Sequence, residues 1–244
     1  MIPRIIHYCW FGGKPFPELA RKCISSWERF LPEYEIREWN ESNFNIDVMP
    51  YVREAYDAKK YAFVSDVARF WILYNEGGLY FDTDVEIIRP LDDIVCRGSF
   101  MGFEDSGVSE YGVAPGLGLG VNPGLGLYKE ILDYYSKEHF KSGGGKVNLE
   151  TVVSRVTRIL VQHGLKADNT IQEVAGVTIY PYDFFCPIRT TDGKLRITDN
   201  TVSIHHYAAS WTTPAHRILR KVFIDLGAIR MKVFLGDIMR RLKR

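Results

Sequence analysis

Asp82 and Asp84, separated by a single residue, close the stretch Gly77-Gly78-Leu79-Tyr80-Phe81-Asp82-Thr83-Asp84. In a strand, side chains two positions apart point to the same side. The pair therefore aims two carboxylates at one spot, with Thr83 turned away. Two hard oxygen ligands suit Mg²⁺ or Mn²⁺, whose remaining positions take water and a substrate phosphate. A solvated strand end carries the same pattern. What favours the ligand reading is position: carboxylates at the end of an apolar strand lie where open α/β sheets bind ligands.

Other residues invite the same two-sided reading. Asp66 and Arg69, at i and i+3, share one face of a segment over 61–76 that is apolar almost all round. Charged residues are rarely buried unpaired, so the two form a structural ion pair or face a polar ligand. Trp10 ends an apolar run and precedes Gly12-Gly13. It is a core tryptophan before a turn, or a ring placed to stack on a flat ligand. The adjacent His205 and His206 face opposite sides of a late strand, so one is a candidate metal ligand and the other a bystander. The aromatic run 181–187 lines a sugar pocket or anchors the core.

The elements that must position these residues follow from periodicity and punctuation. Strands are expected over 2–11, 34–39, 86–91, 99–103, 177–180 and 202–207. Helices are expected over 17–30, 50–60, 61–76, 124–138 and 148–164, the last with a stripe through Leu149, Val152, Val153, Val156, Ile159 and Leu160. The strand–helix–strand opening points to an α/β fold with a parallel sheet. Residues 112–126 hold a glycine-rich run, but no G-x-G-x-x-G falls between a first strand and its helix, which excludes a dinucleotide fingerprint.

Composition is that of a globular protein, with 46% hydrophobic and 25% charged residues. The four cysteines show no C-x-x-C or zinc spacing and read as reduced cytosolic thiols. No signal peptide and no 18-residue apolar stretch is evident. The net charge of +1 hides an asymmetry: residues 214–244 carry nine Lys/Arg against Asp225 and Asp237, a tail of +7 on a body of −6. The expected division is a catalytic domain over 1–213 and a basic amphipathic helical segment over 214–244. Such a segment suits an anionic membrane surface; the acidic body argues against nucleic acid.

Four motifs then converge: I-I-H-Y-x-W-F-G-G from Ile5, K-Y-A-F-x-S-D-x-A-R-F from Lys60, G-G-L-Y-F-D-T-D from Gly77, and H-H-Y-x-x-S-W from His205. Together they make the chain resemble the family 32-like glycosyltransferases, which include bacterial capsular-polysaccharide enzymes and fungal initiating α-1,6-mannosyltransferases. It is similar, more distantly, to the catalytic domain of large clostridial glucosylating toxins. The resemblance covers about residues 2–94 and 176–211. It implies a GT-A-type, Rossmann-like mixed sheet flanked by helices, Mn²⁺ or Mg²⁺, a nucleoside-diphosphate sugar donor (UDP-sugar over GDP-sugar) and retention at the anomeric carbon.

By position, the resemblance has Trp10 stacking on the base and Tyr80 beside the nucleotide. Asp66 and Arg69 hold the donor sugar and diphosphate, Asp82 contacts ribose and metal, and Asp84 binds the metal. His206, five residues before Trp211, is the histidine ligand, and Ser210 and Trp211 close over the diphosphate. Ala209 departs from the toxins, which have a hydroxyl there. The implied acceptor is a polysaccharide, oligosaccharide or lipid-linked glycan, as in capsule or lipopolysaccharide synthesis, on the cytoplasmic face of a bacterial inner membrane. The rival readings are a nucleotidyltransferase or phosphatase using the same aspartates, and a non-catalytic sugar- or metal-binding module.

Overall fold

The computed structural model describes residues 1–105, 111–141, 147–189 and 192–208. In chain order the elements are β1 (Ile5–Cys9), α1 (Glu18–Phe30), β2 (Glu35–Trp39), α2 (Pro50–Asp57), α3 (Tyr61–Glu76), β3 (Gly78–Tyr80), β4 (Val85–Ile87) and α4 (Asp92–Val95). There follow β5 (Phe100–Glu104), β6 (Gly112–Val113), β7 (Leu119–Val121), α5 (Gly126–Ser136), α6 (Val152–Gln162), β8 (Gln172–Val174), β9 (Val177–Tyr180), α7 (Tyr182–Phe185) and β10 (Ser203–His205). The expected elements are all present, with trimmed ends. The last long helix starts later than expected, because Thr151 caps it by accepting from the Ser154 amide. Leu149 therefore lies outside the buried stripe and is exposed.

The main sheet has the order β2-β1-β3-β7-β5-β9-β8, with β6 paired to β5; β4 and β10 form a separate antiparallel pair. β1 is parallel to β2 and β3, β7 is antiparallel to β3 and β5, and β9 is parallel to β5. Five strands thus point the same way, and the carboxyl ends of β1, β3, β5 and β9 share one edge. Alternation along each strand supplies both apolar layers. Met101 and Phe103 face a core built from α2, α3, α5 and α6, while Ile6, Tyr8 and Phe100 face one built from α1, α4, α7 and the small sheet. This is the expected mixed α/β sheet flanked by helices. No helix among the described residues is long and apolar enough to cross a membrane. Residues 214–244, assigned to a basic helical segment, lie outside the described residues.

Gly77 and Gly78 are required by geometry. Both have positive φ, at 66° and 97°, and a Cβ on Gly77 would meet Val121 O at 2.9 Å and one on Gly78 would meet Ile5 O at 2.7 Å. His7 locks this turn to the sheet. Its Nδ1 accepts from Trp39 Nε1 at 3.0 Å, so its Nε2 carries the proton donated to Gly77 O, also at 3.0 Å. Burial brings its pKa down to about 4, so the ring is neutral.

Candidate active site

Helix α3 delivers Asp66 and Arg69 to the end of β3. Both are buried, and Arg69 Nη2 lies 3.2 Å from Asp66 Oδ1 and 3.1 Å from Asp82 Oδ1. The pair is the structural ion pair of the first reading, and Arg69 extends it to the aspartate motif. Arg69 Nε donates to Ser65 O, and its guanidinium carbon sits 5.0 Å from the centre of the Tyr80 ring, a cation–π contact. The Tyr80 hydroxyl donates to Asp82 Oδ1 at 3.0 Å. Asp82 is therefore fixed by a cation and a phenol, and its amide donates to Gly116 O at 3.2 Å.

The strand does not run through the aspartates as expected. β3 stops at Tyr80, and residues 82–85 form a turn in which Val85 N donates to Asp82 O at 3.0 Å. The turn, rather than strand alternation, brings the carboxylates together. Asp84 Oδ1 lies 3.1 Å from His205 Nε2, and its Oδ2 accepts from the Ala208 amide at 2.8 Å.

The structure differs from the expectation in which histidine it brings to the aspartates. His205 joins the aspartates, whereas His206, assigned as the ligand, turns away and places Nε2 2.8 Å from Glu86 Oε2, which also accepts from Lys22 Nζ. The physical reason is the pairing of β10 with β4, which sets His205 opposite Val85. Among the described residues, Asp82, Asp84 and His205 form a group able to hold a metal, with ligand atoms all within 4.8 Å of one another. Two carboxylates and one imidazole fit Mn²⁺, which accepts oxygen and nitrogen, better than Mg²⁺, which favours oxygen.

The electrostatics separate the two aspartates. Burial raises the pKa of Asp82, against the pull of Arg69. Burial acts on Asp84 as well, but the His205 ring and the Ala208 amide outweigh it and hold the carboxyl at about 2. Burial disfavours a charged His205, and the Asp84 carboxylate more than compensates, raising its pKa. Asp66 is pushed up to about 7 by burial, with Arg69 acting the other way.

Trp10 is half-buried one strand away, at the end of β1. One ring face is stacked on Phe16 at 4.6 Å, and its Nε1 donates to Lys14 O. Ser210 and Trp211 lie outside the described residues. The aromatic run 181–187 anchors the core: Phe185 stacks on Phe100, and Tyr182 is held between Tyr111 and the Arg189 guanidinium. Gly116 went unnoticed in the sequence. A Cβ there would lie 2.1 Å from Asp82 Oδ2, so the glycine-rich segment is the wall against which the motif packs.

Residues 17–101 match the family described as a glycosyltransferase sugar-binding region containing a DXD motif. The matched segment covers about a third of the chain. It contains Asp66, Arg69, Tyr80, Asp82 and Asp84, while His205 comes from outside it. The chain is 28% identical over 111 residues to inositol phosphoceramide mannosyltransferase 1 of Schizosaccharomyces pombe, covering 41% of this chain and 33% of the relative. It is 36% identical over 110 residues to an uncharacterized glycosyltransferase of Acanthamoeba polyphaga mimivirus, covering 41% and 42%. The chain thus spans well under half the length of these curated relatives. Among solved structures, the PaToxG glycosyltransferase aligns over 66% of this chain and 69% of its own, at 17% identity and a TM-score of 0.48.

Proposed function

We propose that the chain is a metal-dependent, retaining glycosyltransferase that moves a hexose from a nucleoside-diphosphate sugar, a UDP-sugar in preference to a GDP-sugar, to a polysaccharide, oligosaccharide or lipid-linked glycan. The observation that carries this is the convergence of Asp82 and Asp84, from the segment that matches the DXD family, with His205 from outside it, beside Arg69. Asp82, Asp84 and His205 hold the divalent cation, which supplies Lewis-acid neutralisation of the departing diphosphate. Arg69 directs a further N–H to a phosphate oxygen or sugar hydroxyl as a charge-assisted donor, and Asp66 accepts from the sugar. The Trp10 face opposite Phe16 receives the base. Catalysis in this reading is positioning and fixed charge. Retention and the uridine preference rest on the resemblance of the four motifs.

The test is a panel of UDP- and GDP-sugars with Mn²⁺, GDP-mannose included because the yeast relative is named a mannosyltransferase. Free sugar and nucleoside diphosphate released by the parent chain, and not by Asp84→Ala, support the reading. Release of sugar 1-phosphate and nucleoside monophosphate would overturn it in favour of phosphoanhydride cleavage. An inverted anomer in the transfer product would remove retention. The proposal extends to peripheral attachment at the cytoplasmic face of an anionic membrane through residues 214–244, whose charge of +7 contributes about 1 kcal/mol for each Lys or Arg that reaches the surface. Flotation with phosphatidylglycerol vesicles, lost on truncation after Thr213, checks this; equal flotation of both chains refutes it.

A further inference from the structure

A cavity of about 720 Å³ lies among α4, α7 and the 199–202 segment that leads into β10. Its volume is in the range of small-molecule sites, about 300–1,000 Å³. It is separate from the aspartate motif: Trp10, Asp82, Asp84 and His205 are not in its lining. The β4–β10 ladder joins the two places. At one end His205 pairs with Val85, beside the Asp82–Asp84–His205 group; at the other, Val202 O accepts from the amides of Ile88 and Arg89. Arg89 lines the cavity and is five residues beyond Asp84. At about 3.3 Å per residue, it stands at most roughly 17 Å from the motif.

The cavity has an aromatic floor. The Tyr180 and Phe184 rings meet with centroids 4.9 Å apart and planes tilted by 47°. Tyr180 is 2% exposed, and its buried hydroxyl has no hydrogen-bond partner among the described residues. Burial raises its pKa and the charge of Arg97 pulls the other way, which places Arg97 within reach of the phenol. A buried phenol without a partner is the kind of group that a bound hydroxyl satisfies. The rim is polar and of both signs: Arg89 and Arg97 supply guanidinium groups, Asp92, Asp93 and Asp199 carboxylates, and Asn200 an amide. Part of it is fixed in advance. Arg89 Nη1 donates to Asp199 O, Asn200 Nδ2 donates to Asp183 Oδ2 at 3.1 Å, and Thr201 Oγ1 donates to Asp183 O at 2.8 Å.

We propose that this cavity is a second saccharide site, separate from the aspartate motif, for a neutral, hydroxyl-rich glycan chain. Two cations and three carboxylates give the rim no strong field of one sign. A polyanion meets three like charges there and a polycation meets two, and such juxtaposition is costly. A sugar hydroxyl suits the mixture, because the same oxygen donates to a carboxylate and accepts from a guanidinium or an amide. The C–H face of a pyranose carries the small positive charge that the negative face of an aromatic ring attracts. The lining alone carries this assignment. Under the glycosyltransferase reading above, the site also gives a glycan acceptor a hold at a distance from its reacting end.

The test is binding to the intact chain, without nucleotide or Mn²⁺, by calorimetry and saturation-transfer NMR. The probes are neutral maltotetraose, cellotetraose and mannotetraose, anionic tetragalacturonate and a cationic chitosan tetramer. The expected result is that a neutral probe binds with Kd of about 1 mM or tighter, and more tightly than either charged probe. Arg97→Ala and Asp93→Ala, both at exposed rim positions, should each weaken that binding about fivefold or more. Phe184→Ala should weaken it about tenfold, with thermal melting to check its fold. Asp84→Ala should leave it unchanged within about twofold. Failure of every neutral probe to bind at about 10 mM overturns the assignment. Binding that is lost in Asp84→Ala and kept in both rim variants puts the sugar at the aspartate motif and overturns it too. Tighter binding of a charged tetramer overturns the ligand class. Donor turnover is not read, so a chain that binds the neutral probe through the rim and turns over no donor keeps this site and loses only the glycosyltransferase reading.

Discussion

Gly116→Ala tests the site through one methyl group. The added Cβ would lie 2.1 Å from Asp82 Oδ2, 3.1 Å from Asp82 Cγ and 3.4 Å from Arg69 Nη1. Comfortable contact begins near about 3.5 Å, so the carboxylate must retreat by roughly 1 Å. That retreat strains both hydrogen bonds on its other oxygen, from Arg69 Nη2 at 3.1 Å and Tyr80 Oη at 3.0 Å. Each such bond to a charged group contributes about 1.5–3 kcal/mol, so losing half of the total is about 1.5–3 kcal/mol. Misplacement of a catalytic group by about 1 Å costs about a hundredfold in rate. The expected outcome is a fall of about a hundredfold in kcat/KM for donor hydrolysis and about tenfold in Mn²⁺ affinity by calorimetry.

Backbone conformation does not confuse this result. Gly116 is not among the positive-φ glycines, so alanine is conformationally allowed and would otherwise stabilise by about 0.4–1 kcal/mol. Gly112→Ala is the control: its Cβ would crowd Val153 Cγ1 at 2.7 Å and meet no carboxylate within 4 Å. It should alter melting without altering Mn²⁺ affinity. Full metal affinity and activity in Gly116→Ala would refute the claim that this glycine seats Asp82.

The histidines separate cleanly: His205→Ala should weaken Mn²⁺ affinity by about tenfold or more, and His206→Ala should weaken it far less, as measured by calorimetry. EDTA should abolish donor hydrolysis, and Mn²⁺ should restore it beyond what Mg²⁺ restores. Trp10→Ala should raise donor KM much more than it lowers the melting temperature; the reverse would make Trp10 a core residue. His7 has its pKa brought down by burial to about 4, so the unfolded chain takes up a proton between pH 6.5 and 4 that the folded chain refuses. Stability therefore falls with pH across that window, by about 2 kcal/mol at pH 5. Urea midpoints at pH 7.5 and 5 should show this loss in the parent and much less of it in His7→Gln, whose amide can serve both Trp39 and Gly77.

The helices and the sheet were legible because periodicity reports burial. The apolar circumference of 61–76 required a buried helix, and the structure buries nine of its residues, Asp66 and Arg69 among them. Gly77-Gly78 marked a turn because both positions need positive φ. Gly116 was not legible, since a glycine kept for the space of a neighbouring carboxylate has no local signature. The geometry of Asp82 and Asp84 was half legible. Their spacing brings two carboxylates together in a strand and in a tight turn alike, so the convergence was expected while the local conformation was not.

The positions of His205 and His206 show why spacing to a distant tryptophan could not decide which of them faces the aspartates. In a strand, side-chain direction is set by register, and a slip of one residue exchanges the two faces. The register of β10 is fixed by contacts that neither histidine makes through its side chain. Val202 O accepts from Ile88 N, Val202 N donates to Phe184 O, and His206 N donates to Asp84 O. Ile204, paired across the ladder with Glu86, is almost fully buried. Moving the strand by one residue would push a histidine into that position, and burying an imidazole without a partner costs about 1–3 kcal/mol. The ladder bonds and the burial of Ile204 therefore select which neighbour faces Asp84, and the geometry of the Asp82–Asp84–His205 group is inherited from the packing of the residue beside it.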